Sequence, residues 1–125
     1  MDKTFLLVGI GGFAGSVLRY WLALFIGRQV NSQFPIGTLT VNIIGCLLIG
    51  MIAGFSERDT FLSPETRILL TTGFCGGFTT FSAFSYESVT LLREGELFYL
   101  GANVVLSVSL GIISTYIGLL FSRSI

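Results

Sequence analysis

Of 125 residues, 52% are hydrophobic and only 11% charged, with seven basic side chains balancing seven acidic ones and no histidine. A soluble domain carries roughly a quarter charged residues, so this composition places the chain in a bilayer. The even charge balance leaves no basic face for nucleic acid, and the missing histidine removes the commonest metal ligand and general base.

A bilayer core takes about 20 apolar residues per helix. The first such run covers about residues 4–27 and is interrupted only by Arg19. Lys3 and the small residues of GFAGS imitate a signal peptide. Apolar segments run on through the chain, however, so a first transmembrane helix is the better reading. A polar loop, RQVNSQFP, leads to the second run, about residues 36–55, which has no charge and carries Asn42 midway. SERDTFLSPE follows, in which Ser63, Pro64 and Glu65 have the chemistry of a helix N-cap with proline in first position. The third run covers about residues 66–92, REGE makes a turn, and the fourth covers about residues 97–121, with Thr115 and Tyr116 as hydroxyls in an apolar helix. The expected fold is all-α: one integral membrane domain, residues 1–125, of four transmembrane helices. Cys46 and Cys75 sit within apolar runs, far from any second ligand, and read as small buried hydrophobes.

Small residues recur four apart as Gly11 with Gly15, Gly50 with Gly54 and Gly73 with Gly77. Lipid gives helices no hydrophobic drive to associate, so such notches serve close packing, either inside one subunit or between subunits. Four spans place Lys3, Arg58, Arg67 and Arg123 on one side of the membrane. Arg28 and Arg93 lie on the other, joined by Arg19 if it snorkels outward. That split is a weak orienting signal, and such a chain could insert both ways round.

The third run, TTGFCGGFTTFSAFSYES, holds the chemistry. Gly76 and Gly77 adjoin at mid-membrane. Either they break the helix and free carbonyl oxygens able to coordinate a cation, or they form a packing notch in a continuous helix. Phe78, Phe81 and Phe84 repeat every three residues, as do Ser82 and Ser85, giving an aromatic track beside a hydroxylic one. An aromatic stripe at this spacing is usually core, but a dry core or a lipid-facing surface does not need a ladder of hydroxyls. Asn42 must either hydrogen-bond a neighbouring helix or turn its amide toward a permeating ion. Arg19 is either an intramembrane functional charge or an interfacial anchor. Glu87, three residues beyond Phe84, is expected to face a water-filled vestibule. Hydroxyls, an amide and phenyl edges without a cation suit a small, strongly hydrated anion that must be stripped of water yet released.

These stretches resemble the Fluc family, the CrcB-type fluoride channels of microorganisms. GFCGGFTTFSAFS in the third helix is similar to the family's most characteristic stretch, and GGFAGSVLRY and GTLTVNIIG match its marks in the first and second. The resemblance extends over essentially the whole chain. It implies a passive, fluoride-selective channel of the cytoplasmic membrane that confers fluoride resistance. It also implies an antiparallel, dual-topology homodimer with two pores, and a third helix broken mid-membrane. On that basis Phe81 and Phe84 would be pore phenylalanines, Asn42 the pore amide, and Ser82, Ser85 and Thr115 a polar track. Glu87 would lie near a vestibule, and the backbone carbonyls of Gly76 and Thr79 from both subunits would hold a central sodium ion. Arg19 matches the family's arginine. Ala83 departs from the threonine common there, which puts one contact of the track in doubt.

Helix number supports part of this independently. Four helices of this size fill their own centre with side chains, so a pore must lie between two copies, and the near-even charge split suits an inverted pair. The alternative is a small four-helix, dual-topology multidrug-type exporter, which needs a membrane-embedded acid; the first helix has none. A scaffold protein would not need the phenylalanine and serine ladder. An enzyme would need a nucleophile–base pair or a metal cluster that the chain lacks.

Overall fold

The computed structural model describes residues 2–58 and 62–125; the centre of the second loop, Asp59 to Phe61, lies outside the described residues. Helix α1 is Lys3–Gln29 and α2 is Ile36–Ser56. The next stretch comprises α3 (Pro64–Ile68), a π-helical segment (Leu69–Cys75), α4 (Gly76–Phe78) and α5 (Phe81–Arg93), and α6 is Leu97–Ser124. Among the described residues, four stretches are long and apolar enough to cross a membrane: Lys3–Gln29, Ile36–Ser56, Pro64–Arg93 and Leu97–Ser124.

Local chemistry sets the ends. Asp2 caps α1 by accepting the Thr4 N–H, and Ser63 caps α3 by accepting the Thr66 N–H, with Pro64 at the first helical position where it sacrifices no hydrogen bond. Gly95, at φ 75°, ends α5. Around it the Glu96 N–H reaches the Leu91 carbonyl and the Gly95 N–H the Leu92 carbonyl, the paired closure that a left-handed residue permits.

The glycine notches pack inside the subunit. A Cβ on Gly11 would overlap the Leu69 carbonyl, and one on Gly15 the Phe74 carbonyl, so α1 lies backbone to backbone against the π-helical segment. A Cβ on Gly50 would overlap the Thr115 carbonyl and one on Gly118 the Leu47 carbonyl, so α2 and α6 touch in the same way. Close approach of this kind multiplies dispersion contacts where lipid supplies no hydrophobic drive.

Gly76 and Gly77 are themselves helical, Gly76 at φ −62° and ψ −37°. Their smallness serves packing: a Cβ on Gly77 would lie 3.0 Å from the Gly12 Cα. Extended backbone falls one step later, at Thr79 (φ −91°, ψ 157°) and Thr80 (φ −151°, ψ 119°). That offset also separates Phe78 from the other phenylalanines. Phe78 is 2% exposed and stacks on Phe74, their centroids 5.7 Å apart, so it belongs to the core and not to one aromatic track with Phe81 and Phe84.

Candidate functional site

Asn42 lies midway along α2, opposite the two extended threonines. In a continuous helix the Thr80 N–H would close onto the Gly76 carbonyl. Here it donates to Asn42 Oδ1 at 2.8 Å, while Asn42 Nδ2 donates to the Thr80 carbonyl at 3.2 Å. One side chain thus satisfies both polar groups of a residue outside the helical ladder. Thr80 in turn caps α5, its hydroxyl oxygen accepting the Ala83 N–H at 3.1 Å. On the N-terminal side, the Thr79 N–H still closes onto the Cys75 carbonyl at 3.0 Å, and the Thr79 hydroxyl donates to the same oxygen at 2.9 Å. The Gly77 carbonyl accepts Arg19 Nε–H at 3.1 Å and, at a longer 3.5 Å, the Ser16 hydroxyl. Arg19 therefore turns inward, toward the same backbone, and is not simply an interfacial anchor.

A cleft of about 260 Å³ opens beside this backbone, lined by Asn42, Cys46, Thr79, Thr80, Phe81, Phe84, Ser107 and Val108. The Phe81 and Phe84 rings lie 5.5 Å apart at 44°. Phe81 is 78% exposed in the single protomer, whereas Phe84 is half-buried. An adjoining groove of about 520 Å³ shares Cys46, Ser107 and Val108 and continues along α6 to Thr115, Tyr116 and Leu119. There the Thr115 hydroxyl donates to the Gly111 carbonyl at 3.1 Å. Ser82 and Ser85 lie on exposed positions of α5 and do not line the cleft, although Ser82 Oγ comes within 3.2 Å of Thr80 Oγ1.

Glu87 lies in a third cleft, of about 370 Å³, together with Thr38, Tyr86, Thr90 and Glu94. Its Oε2 accepts the Thr38 hydroxyl at 2.9 Å. Its Oε1 is buried and has no hydrogen-bond partner among the described residues. Asn42, Phe81, Phe84 and Thr79 therefore come together, Thr115 is reached along a connected groove, and Glu87 sits in a cleft of its own.

Cys46, expected to be a small buried hydrophobe, is instead only part-buried and lines two of these clefts, whereas Cys75 is buried as expected. Thr38, Thr80 and Ser107 line the clefts without having been singled out from the sequence. Their signal was spacing: Thr38, Asn42 and Cys46 fall four apart on α2, and Ser107 lies two such steps before Thr115 on α6, so each set shares a helix face. As for cation ligands, among the described residues no three His, Cys, Asp or Glu side chains gather in one place. The oxygens that could serve are backbone carbonyls, and Gly76 is the one whose helical donor has been diverted to Asn42.

Comparison with known proteins adds independent information. The family described as CrcB-like protein, Camphor Resistance (CrcB), matches residues 6–119. A protein of Chlorobium phaeobacteroides (strain BS1) named "Fluoride-specific ion channel FluC" is 49% identical over 118 residues, covering 94% of this chain and 91% of that one. The protein of the same name from Chlorobaculum tepidum is 48% identical, covering 97% and 95%. That of Flavobacterium psychrophilum is 42% identical, covering 98% and 99%.

Proposed function

The chain belongs to the CrcB-like family, and from that premise we propose that it is a fluoride-selective channel that lets the ion leave the cell passively. It is a multi-pass protein of the cell membrane, and its work is conduction, not chemical conversion. The observation that carries the reading is the cleft in which Asn42, Phe81 and Phe84 meet the extended threonines.

Fluoride holds its water strongly, so a path for it must offer replacement donors at each step. An amide nitrogen has two N–H donors, and Thr80 takes one from Asn42, leaving a second for an ion. Phenyl rings carry positive potential at their edges, and the rings of Phe81 and Phe84 line the same space. Among the described residues no Lys or Arg lines the cleft, so an anion is not held too tightly to leave. Ser82, Ser85 and Thr115 extend the polar track, and the cleft around Glu87 is the vestibule.

The pore lies between two antiparallel copies. Exposed Ser82 and Ser85 next to a largely bare Phe81 are poorly suited to lipid and well suited to a facing subunit. The near-even distribution of Lys and Arg allows both insertions. In the dimer the third span is broken at membrane depth. There the Gly76 and Thr79 carbonyls of both copies would hold a structural sodium ion, oxygen donors being what a hard cation takes. Such an ion would supply positive charge to offset the carbonyl dipoles that Gly76 and Thr79 contribute.

An exporter driven by protons is the second class. It would use Glu87 as the exchanging acid, but the relatives' printed names are those of ion channels. Purified protein in liposomes should release fluoride without any imposed proton gradient; efflux that requires the gradient would transfer the chain to the coupled exporters.

A further inference from the structure

We propose that Asn103 is a positioning residue for the Phe84 wall of the cleft, acting from α6 through Ser88; the inference rests on the conduction reading above. Helix α5 carries Phe81, Phe84 and Glu87, yet among its described residues Leu91 alone is buried. Apolar packing within the protomer therefore does little to fix where this helix stands. Polar ties do the fixing: Asn42 holds Thr80 just before its N-terminus, Thr38 reaches Glu87 from α2, and Asn103 reaches Ser88 from α6.

Asn103 is 1% exposed. A buried amide persists in a bilayer only when its polar atoms are satisfied, so its contacts fix its place closely. Asn103 Nδ2 donates to Ser88 Oγ at 3.1 Å, and the Ser88 hydroxyl donates to the Phe84 carbonyl at 2.8 Å. From the other side, the Ser107 hydroxyl donates to Asn103 Oδ1 at 3.3 Å. The result is a directional series from Ser107 through Asn103 and Ser88 to the Phe84 backbone, in which each bond polarises the next. Both ends of the series, Ser107 and Phe84, line the cleft, while Asn103 and Ser88 do not. The amide thus sets how far apart α5 and α6 stand across the site without touching what passes through it.

The test measures fluoride efflux from liposomes for Asn103→Leu, Ser88→Ala and Ser88→Thr, each alone and combined with Phe84→Ile, after size-exclusion chromatography shows folded protein. Asn103→Leu and Ser88→Ala should slow efflux about tenfold, roughly the effect of one lost net hydrogen bond. Ser88→Thr, which keeps the hydroxyl, should conduct near the wild-type rate. Added to Phe84→Ile, the two disruptive substitutions should cost little more, because they act through the same ring. A purely structural tie would instead lower yield or thermal stability and leave the flux of folded protein unchanged. Unchanged or faster flux in Ser88→Ala, or losses that multiply independently with Phe84→Ile, would overturn the proposal. If Asn103→Leu does not fold, the Ser88 pair decides the matter alone. A wild-type protein that releases no fluoride would remove the channel reading itself, whereas a conducting wild type beside conducting variants removes only the role of Asn103.

Discussion

Replacing Asn42 with leucine keeps a branched side chain on α2 but deletes both hydrogen bonds to Thr80, at 2.8 and 3.2 Å. A net hydrogen bond contributes about 0.5–1.5 kcal/mol, so the pair is worth roughly 1–3 kcal/mol. With its acceptor gone, the Thr80 N–H has the Gly76 carbonyl as the nearest alternative along the chain, and helical closure there would pull Phe81 and Phe84 out of their present places. The amide donor left over for an ion disappears in the same substitution. If that energy appears at the barrier, fluoride efflux falls by about 5- to 150-fold, since about 1.4 kcal/mol is a factor of ten. Asn42→Asp separates the two roles. It keeps an oxygen to accept the Thr80 N–H but places an acidic group in the path of an anion, so it should give stable protein with little flux at neutral pH. Liposome efflux beside a size-exclusion profile reads both variants. Asn42→Leu conducting at the wild-type rate would refute the reasoning and reduce Asn42 to an ordinary interhelical contact.

Phe81→Ile should leave folding almost untouched, because the ring is 78% exposed in the protomer, yet cut fluoride flux at least several-fold by removing a ring edge; Phe84→Ile should do the same at a modest cost in stability, under about 1.5 kcal/mol. Normal flux from both would return these residues to the role of apolar filler. Gly50→Ala should lower thermal stability in detergent by about 1–3 kcal/mol, because its Cβ would meet the Thr115 backbone and lie 3.1 Å from the Leu119 nitrogen, whereas Gly101→Ala, with nothing within 4 Å, should be neutral or slightly stabilising. A cysteine tag at the C-terminus should label from both faces of intact cells; labelling from one face would contradict an inverted pair of identical chains.

Much of the architecture is legible in run length alone, because a bilayer demands about 20 apolar residues per helix whatever their order. The second helix opens at Ile36, directly after the proline that ends the loop, and Ser63–Pro64–Glu65 announces the start of the third stretch. What the sequence hid is long-range. Intrinsic propensity makes Gly76 and Gly77 the weak point, but propensity is a small term beside tertiary contact. The glycine pair stays helical because Gly77 packs onto Gly12, and the backbone is instead drawn out at Thr79 and Thr80, where an amide from α2 competes for the Thr80 N–H. The three-residue spacing places Phe78 with Phe81 and Phe84 only on one regular helix, and two extended residues undo that register. The π-helical turn before it leaves no local mark either. Arg19 could be read only as a charge in need of a partner; that its partner is the Gly77 carbonyl depends on how α1 packs.

The most direct measurement compares fluoride with chloride release from matched liposomes containing the purified protein, with a potassium ionophore to carry the balancing charge and no pH difference across the membrane. A donor-rich path without cations, built to replace the water of a small ion, predicts rapid fluoride release with chloride held back. Equal release of the two halides, or none of either, would contradict it.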